Sequence, residues 1–194
     1  GGYWAWDPVE NASLIPWLIL IAGLHVTIIY KSTGNSLTTA MLLFIATFVL
    51  VLYATFLTRS GILGNSSVHS FTDLGMSGQL LVFLFMFIVL AIGLLMWRWK
   101  DIPKSENEER TFTREFWMFI GSLVLVVSSF QILLTTSIPV INKIAGTNLA
   151  PPADVISHYN KWQMPMAIII AILSGVALAL KFKKNNTDVL KKML

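Results

Sequence analysis

The sequence predicts an all-α protein, a polytopic bundle of transmembrane helices. Three observations carry that reading. Of 194 residues, 55% are hydrophobic and only 12% are charged, about half the roughly 25% charge of a soluble domain. The mean hydropathy is +0.70. Five apolar runs are each close to the ~20 residues that cross a bilayer as a helix. No boundary to a soluble domain is visible, so residues 1–194 read as a single membrane domain.

The runs can be taken in order. The first covers residues 13–30, with Trp17 and Tyr30 placed to anchor it at the two interfaces. A tight polar turn, 31–35, leads into the second run at 36–57. A longer loop, 58–77, carries Arg59, Gly61, Gly64, Asn65 and His69 before the third run at 78–97. A densely charged connection at 98–115 precedes the fourth run, 116–135. Residues 136–164 read as a loop, because Pro139, Gly146, Pro151, Pro152 and His158 interrupt the apolar pattern. The fifth run, 165–182, passes into a basic tail at 181–194.

Charge sets the expected orientation. Eleven Lys and Arg fall in the 31–35 turn, the 98–115 connection and the tail, and three (Arg59, Lys143, Lys161) fall on the other side. The positive-inside rule puts the first group in the cytoplasm. Residues 1–12, 58–77 and 136–164 then face outward from a cell inner (cytoplasmic) membrane. The net charge of +4 is a topological signal, with some attraction to anionic lipid, and not a nucleic-acid footprint. Cysteine is absent, which excludes disulfides, thiolate metal sites and a covalent haem attachment motif in this chain. No phosphate-cradling P-loop, Gly-x-Ser-x-Gly turn or His-x-x-x-His spacing occurs.

The densest stretch is the first: Tyr3-Trp4-Ala5-Trp6-Asp7-Pro8-Val9-Glu10-Asn11-Ala12-Ser13-Leu14-Ile15-Pro16-Trp17-Leu18. Asp7, Pro8 and Glu10 supply a helix N-terminus by themselves. Tyr3, Trp4 and Trp6 are left over, an aromatic platform where the apolar phase begins. The chain has three histidines. His25 lies in the first run, about 18 Å below its outer end at Ser13. It reads either as a neutral imidazole bonded to a neighbouring helix or as an axial ligand to a buried haem iron. Gly23 beside it leaves room for a macrocycle or for a close helix. His69, in the first outer loop, reads as a surface histidine or as a ligand on the same side as the aromatics. Arg59 reads as a snorkelling interfacial charge or as a partner for an anionic group such as a propionate. His158, the third candidate ligand, reads equally as an exposed loop residue. A flat apolar ligand with a metal and two carboxylates uses all of these, and haem fits; a polytopic membrane protein with another ligand fits the spacing as well.

The opening stretch resembles the tryptophan-rich WWD signature of the haem-handling superfamily of cytochrome c biogenesis, most closely its CcmF branch, with the CcsA branch a near relative. A second matching stretch is Thr55-Phe56-Leu57-Thr58-Arg59-Ser60-Gly61-Ile62-Leu63, leading to Ser67-Val68-His69-Ser70-Phe71. Tyr3 stands where the family usually has Trp. The resemblance covers roughly residues 1–160.

The resemblance implies a haem lyase working within a multi-subunit complex. Such a protein binds haem at the outer face and positions it for covalent attachment to the Cys-x-x-Cys-His motif of apocytochrome c. It implies that residues 1–18 form the outer haem-binding segment, with Gly2, Tyr3, Trp4, Trp6, Asp7, Pro8, Glu10, Asn11, Trp17 and Arg59 as cofactor contacts. His69 would ligate the outer haem iron and His25 a second, transmembrane b-type haem, both groups held non-covalently; His158 matches no ligand of the family. Implied partners are apocytochrome c, a haem chaperone, other maturation subunits and membrane lipid, with no nucleic acid. The chain is expected to be a piece of a longer protein, with a second outer histidine before Gly1 and a second transmembrane one after Leu194. Competing readings are a haem exporter or channel, which needs a polar path through several spans, and a structural b-haem subunit of a respiratory complex, which needs paired in-membrane histidines.

Overall fold

The computed structural model describes residues 4–64, 66, 67, 69–71, 75–103 and 113–180. Gly2 and Tyr3, most of the charged connection and the basic tail lie outside the described residues. Six α-helices and one short 3-10 turn make up the described part: α1 Pro8–Thr33, α2 Leu37–Arg59, α3 Ser77–Arg98, α4 Arg114–Thr136, α5 Ile138–Ala145 and α6 Val155–Ala179. All but α5 are long and apolar enough to cross a membrane, so the all-α, five-span architecture stands.

Two helices start earlier than hydropathy places them. Asp7 accepts the Val9 N–H at 2.9 Å and Pro8 takes the first helical position, where its missing N–H costs nothing. The cap therefore sets the start of α1 at Pro8, before the apolar run begins at Ser13. At the far end Gly34, with φ of 80°, closes the helix by donating to the Tyr30 carbonyl. The larger correction concerns residues 136–164. Asp154 accepts the Ser157 N–H at 3.0 Å and starts α6 at Val155, with Pro165 inside the helix instead of at its beginning. Pro165 removes one helical hydrogen bond, which the flanking turns of α6 tolerate. Residues 138–145 form α5. His158 and Trp162 are thus helical, not on a loop.

α1 is the central rod. It packs on α2 along one side and on α4 along the other; α3 lies against α2, and α6 against α4. One apolar cluster joins Ile15, Leu18 and Ala22 of α1 to Leu125 and Ile132 of α4 and Tyr159 of α6. A second joins Ala12 to Phe56, Leu57 and Leu63. A Cβ built on Gly23 would stand 3.4 Å from the Leu43 Cβ, so this glycine serves the close α1–α2 contact, not a macrocycle.

Polar groups tie the helices where lipid offers no partners. Ser129 donates to the Ile15 carbonyl at 3.0 Å, Tyr53 to Ser137 Oγ at 2.7 Å, and Ser32 to Glu115 Oε1 at 2.7 Å. Between α4 and α6 the Gln163 amide donates to Gln131 Oε1 at 2.7 Å and to the Ser128 carbonyl at 3.2 Å, while the Ser128 hydroxyl donates to Gln163 Oε1. Gln131 in turn donates to Thr135 Oγ1 at 3.3 Å, which stands 3.3 Å from His158 Nε2. This ladder bonds its own members to one another, the usual role of polar residues between transmembrane helices.

Candidate functional site

Two places gather the candidate residues. The first is the end of the bundle where α1 begins. Trp6 has a left-handed backbone, φ 58°, which costs about 1–2 kcal/mol for a non-glycine residue. Its neighbours hold it there. The Trp6 carbonyl accepts from Asn11 Nδ2 at 3.0 Å, and Asn11 is fully buried. The Ala5 N–H donates to Glu10 Oε2 at 3.2 Å. The strained residue turns the Trp6 indole toward α6. Its Nε1 donates to Asn160 Oδ1 at 2.9 Å, and its ring stacks on Tyr159 with centroids 4.9 Å apart. Trp4 meets Trp6 edge-on at 6.0 Å and remains exposed. Tyr159 also reaches Thr136 Oγ1 at 3.2 Å and carries the His158 ring edge-on.

Asp7 connects this platform to the loop after α2. One carboxylate oxygen serves both the helix cap and the Ser67 hydroxyl, which donates at 2.8 Å. The other lies 3.6 Å from His69 Nδ1. Ser67 Oγ also accepts the His69 N–H at 3.1 Å. The Asp7 side chain is 13% exposed and that of His69 63%, so an anchored carboxylate faces an accessible imidazole. Pro8, Glu10 and Asn11 build the turn behind it. Arg59 does not join the aromatics; its guanidinium lies 3.8 Å over the Phe71 ring, a cation–π pairing.

The second place is a groove of about 400 Å3 between α1, α4 and α6, lined by Trp17, His25, Arg114 and Trp117 among apolar side chains. His25 Nδ1 lies 2.8 Å from the Ile21 carbonyl. A carbonyl only accepts, so Nδ1 carries the proton and Nε2 keeps its lone pair, the form in which imidazole binds a metal. Trp17 lies in this groove, two turns before His25, and is not part of the platform.

His25 lies further from the start of its helix than its distance from Ser13 suggests, because α1 begins at Pro8. From Pro8 to His25 the helix rises about 25 Å, so His25 sits in the half of α1 nearer the Ser32–Glu115 end. Among the described residues no three His, Cys, Asp or Glu side chains cluster as a metal site.

The sequence reading missed Tyr159 and Asn160. Their only local signal is the Asp154-x-x-Ser157 cap that starts α6 one turn earlier.

The profile of the family described as "Cytochrome C assembly protein" matches residues 1–63, the stretch that holds the platform, α1 with His25, and α2. The chain also aligns end to end with longer proteins. It is 34% identical over 199 residues to the "Cytochrome c-type biogenesis protein CcmF" of Pseudomonas fluorescens, covering 100% of this chain and 29% of that protein.

The chain belongs to the cytochrome c assembly family.

The CcmF of Escherichia coli is 30% identical over 197 residues, with 100% of this chain and 29% of that protein covered. The "Cytochrome c-type biogenesis protein NrfE" of Haemophilus influenzae is 29% identical over 189 residues, 97% of this chain and 29% of that protein. The chain thus spans 29% of the length of these relatives. No solved structure matches it. With five candidate spans, it is a multi-pass membrane member of this cytochrome c biogenesis family.

Proposed function

We propose that this chain forms the haem-presenting part of a cytochrome c haem lyase in the cell inner membrane. The observation that carries the reading is the Asp7 bridge. One carboxylate caps α1 behind the tryptophans, takes the Ser67 hydroxyl and faces His69. Metal-ligating histidines usually pair their second ring nitrogen with a carboxylate, which fixes orientation and raises basicity. With Nδ1 turned to Asp7, the Nε2 of His69 is the nitrogen available for iron. Trp4 supplies an exposed indole on the platform that Asp7 caps, and Trp6, held by Asn160 and Tyr159, sets where that indole stands.

When bound at this face, haem supplies the vinyl groups to which the thiols of a Cys-x-x-Cys-His motif in apocytochrome c add. The chain's own contribution is positioning, a legitimate source of rate. Asp7 orients the His69 imidazole, the tryptophans limit the tilt of a flat ligand, and Arg59 stands at the end of α2 within the same loop region. The groove at His25 takes a second, b-type haem in this reading. Its support is an apolar cleft of suitable volume with a lone-pair nitrogen on its wall. The platform faces outward, in keeping with the charge asymmetry of the loops. Apocytochrome c, a haem chaperone and the other maturation subunits are the partners.

The test uses the full-length protein. His69→Ala should lower haem at the outer face and abolish cytochrome c maturation, with membrane insertion unchanged. Wild-type haem content together with wild-type maturation in that variant would overturn the assignment.

A further inference from the structure

We infer that α5 and the loop after it form a membrane-surface foot. The apolar arc of this short helix rests among the phospholipid headgroups at the platform end of the bundle. The foot binds the lipid surface itself and needs no haem at either histidine.

Ser137 ends α4 and begins α5, and Pro139 in the first turn of α5 has no N–H with which to continue the α4 ladder. A new helix of eight residues starts there. Around its axis Val140, Ile144, Ile141, Ala145 and Ile138 follow one another over an arc of about 160°. Asn142 and Lys143 occupy the other side. The protein covers one edge of the apolar arc: Val140 packs on the cluster of Ala12, Phe56, Leu57 and Leu63. Next on the arc, Ile144 is 82% exposed, more than any other large apolar residue described. Leu149 is exposed as well and is held beside the helix. Asn142 Nδ2 donates to its carbonyl at 2.9 Å. Asn142 Oδ1 accepts its N–H at 2.9 Å and the Thr147 hydroxyl at 2.8 Å.

Placement decides what meets these side chains. α4 ends at Thr136 and α6 begins at Val155, so the chain between them lies where two spans leave the hydrocarbon. Val140 sets α5 level with the second turn of α1 and the last turn of α2, and the Tyr53–Ser137 bond holds it there. Below it the lipid-facing side of α4 carries exposed Phe130 and Leu134, and Ile144 extends that apolar surface to the boundary. An amphipathic helix at this level sinks its apolar face about 5–10 Å into the headgroup–acyl boundary. Lys143, on the opposite arc, brings positive charge to the lipid phosphates. The foot is fastened to the same stretches of α1 and of the loop after α2 that carry Asp7 and Ser67. Its depth in the lipid therefore sets the height of the platform above the membrane.

The experiment uses the full-length protein in nanodiscs of phosphatidylcholine and phosphatidylglycerol. Ile144→Cys, Leu149→Cys and Lys143→Cys are each labelled with an environment-sensitive fluorophore, and the unsubstituted protein serves as the labelling blank. All three side chains are exposed, so the substitutions disturb no packing. Two quenchers are compared: a phospholipid spin-labelled near the top of its acyl chain, and iodide in the water. Labels at positions 144 and 149 should be quenched several-fold more by the lipid than the label at 143, and several-fold less by iodide. Iodide quenching at either position equal to that at 143 would place the arc in water and overturn the foot. Protection from both quenchers at either position would overturn it as well, because the arc is then covered by protein, either another segment of the longer chain or a partner subunit.

Discussion

Trp6 Nε1 donates to Asn160 Oδ1 at 2.9 Å, and this one bond joins the segment before the first helix to the first turns of the last. The stacking of the same indole on Tyr159 makes the junction two-point. Asn160→Leu should leave the indole N–H without its acceptor and cost about 1–3 kcal/mol, read as a lower Tm in detergent. Asn160→Gln should recover part of the loss.

Asp7 has a cap role and a charge role, and substitutions separate them. Asn caps helices as well as Asp does, so Asp7→Asn should change stability by less than about 0.5 kcal/mol. It removes the negative charge facing His69, and the haem affinity of the outer site should fall about 10–100-fold. Asp7→Ala should show the same affinity loss together with roughly 1 kcal/mol of instability. A circular dichroism melt and a haem titration on the same samples make the comparison.

The position of Gly23 against Leu43 gives a packing test that spares the groove. Gly23→Leu must push α1 and α2 apart and should destabilise by about 1–3 kcal/mol. His25 meets its groove on the side of α4 and α6, so b-type absorbance per folded molecule should stay constant while Tm falls.

The amides between α4 and α6 should show measurable non-additivity. Gln163→Leu strips partners from Gln131 and Ser128 at once and should cost about 1–3 kcal/mol. Adding Gln131→Leu removes the orphaned amide, so that substitution should cost less in the Gln163→Leu background than it does alone. The coupling energy should fall near 0.6 kcal/mol, with about 1.7 as the upper end. A double-mutant cycle by thermal unfolding supplies the number.

Much of this architecture was legible before any coordinates. Apolar run length gives all five spans because a bilayer fixes how many residues must be apolar. Helix ends were less legible, since caps lie outside the apolar phase: Asp7 and Asp154 start α1 and α6 in polar sequence that hydropathy ignores. His158 was misplaced for that reason. Topology put Trp6, Asp7 and His69 on one side of the membrane, yet nothing local shows that Asp7 bridges them. Tyr159 and Asn160 were invisible as partners of Trp6, because only the packing of α6 on α4 brings them there. Gly23 and Trp17 sit where the sequence put them but face other neighbours, since which side of a buried helix meets which helix is set by the bundle and not by the periodicity.

The platform end and His25 are carried by one rod. α1 runs unbroken from Pro8 to Thr33, with Pro16 inside it and its upper turns gripped on both flanks by the apolar clusters. Its lower turns are held as well, by Leu43 against Gly23 and by the Ser32–Glu115 bond. One continuous helix, fastened along its length, thus sets the interval of about 25 Å between the platform end and His25. The two places keep a fixed separation and a fixed rotational phase about the axis of α1.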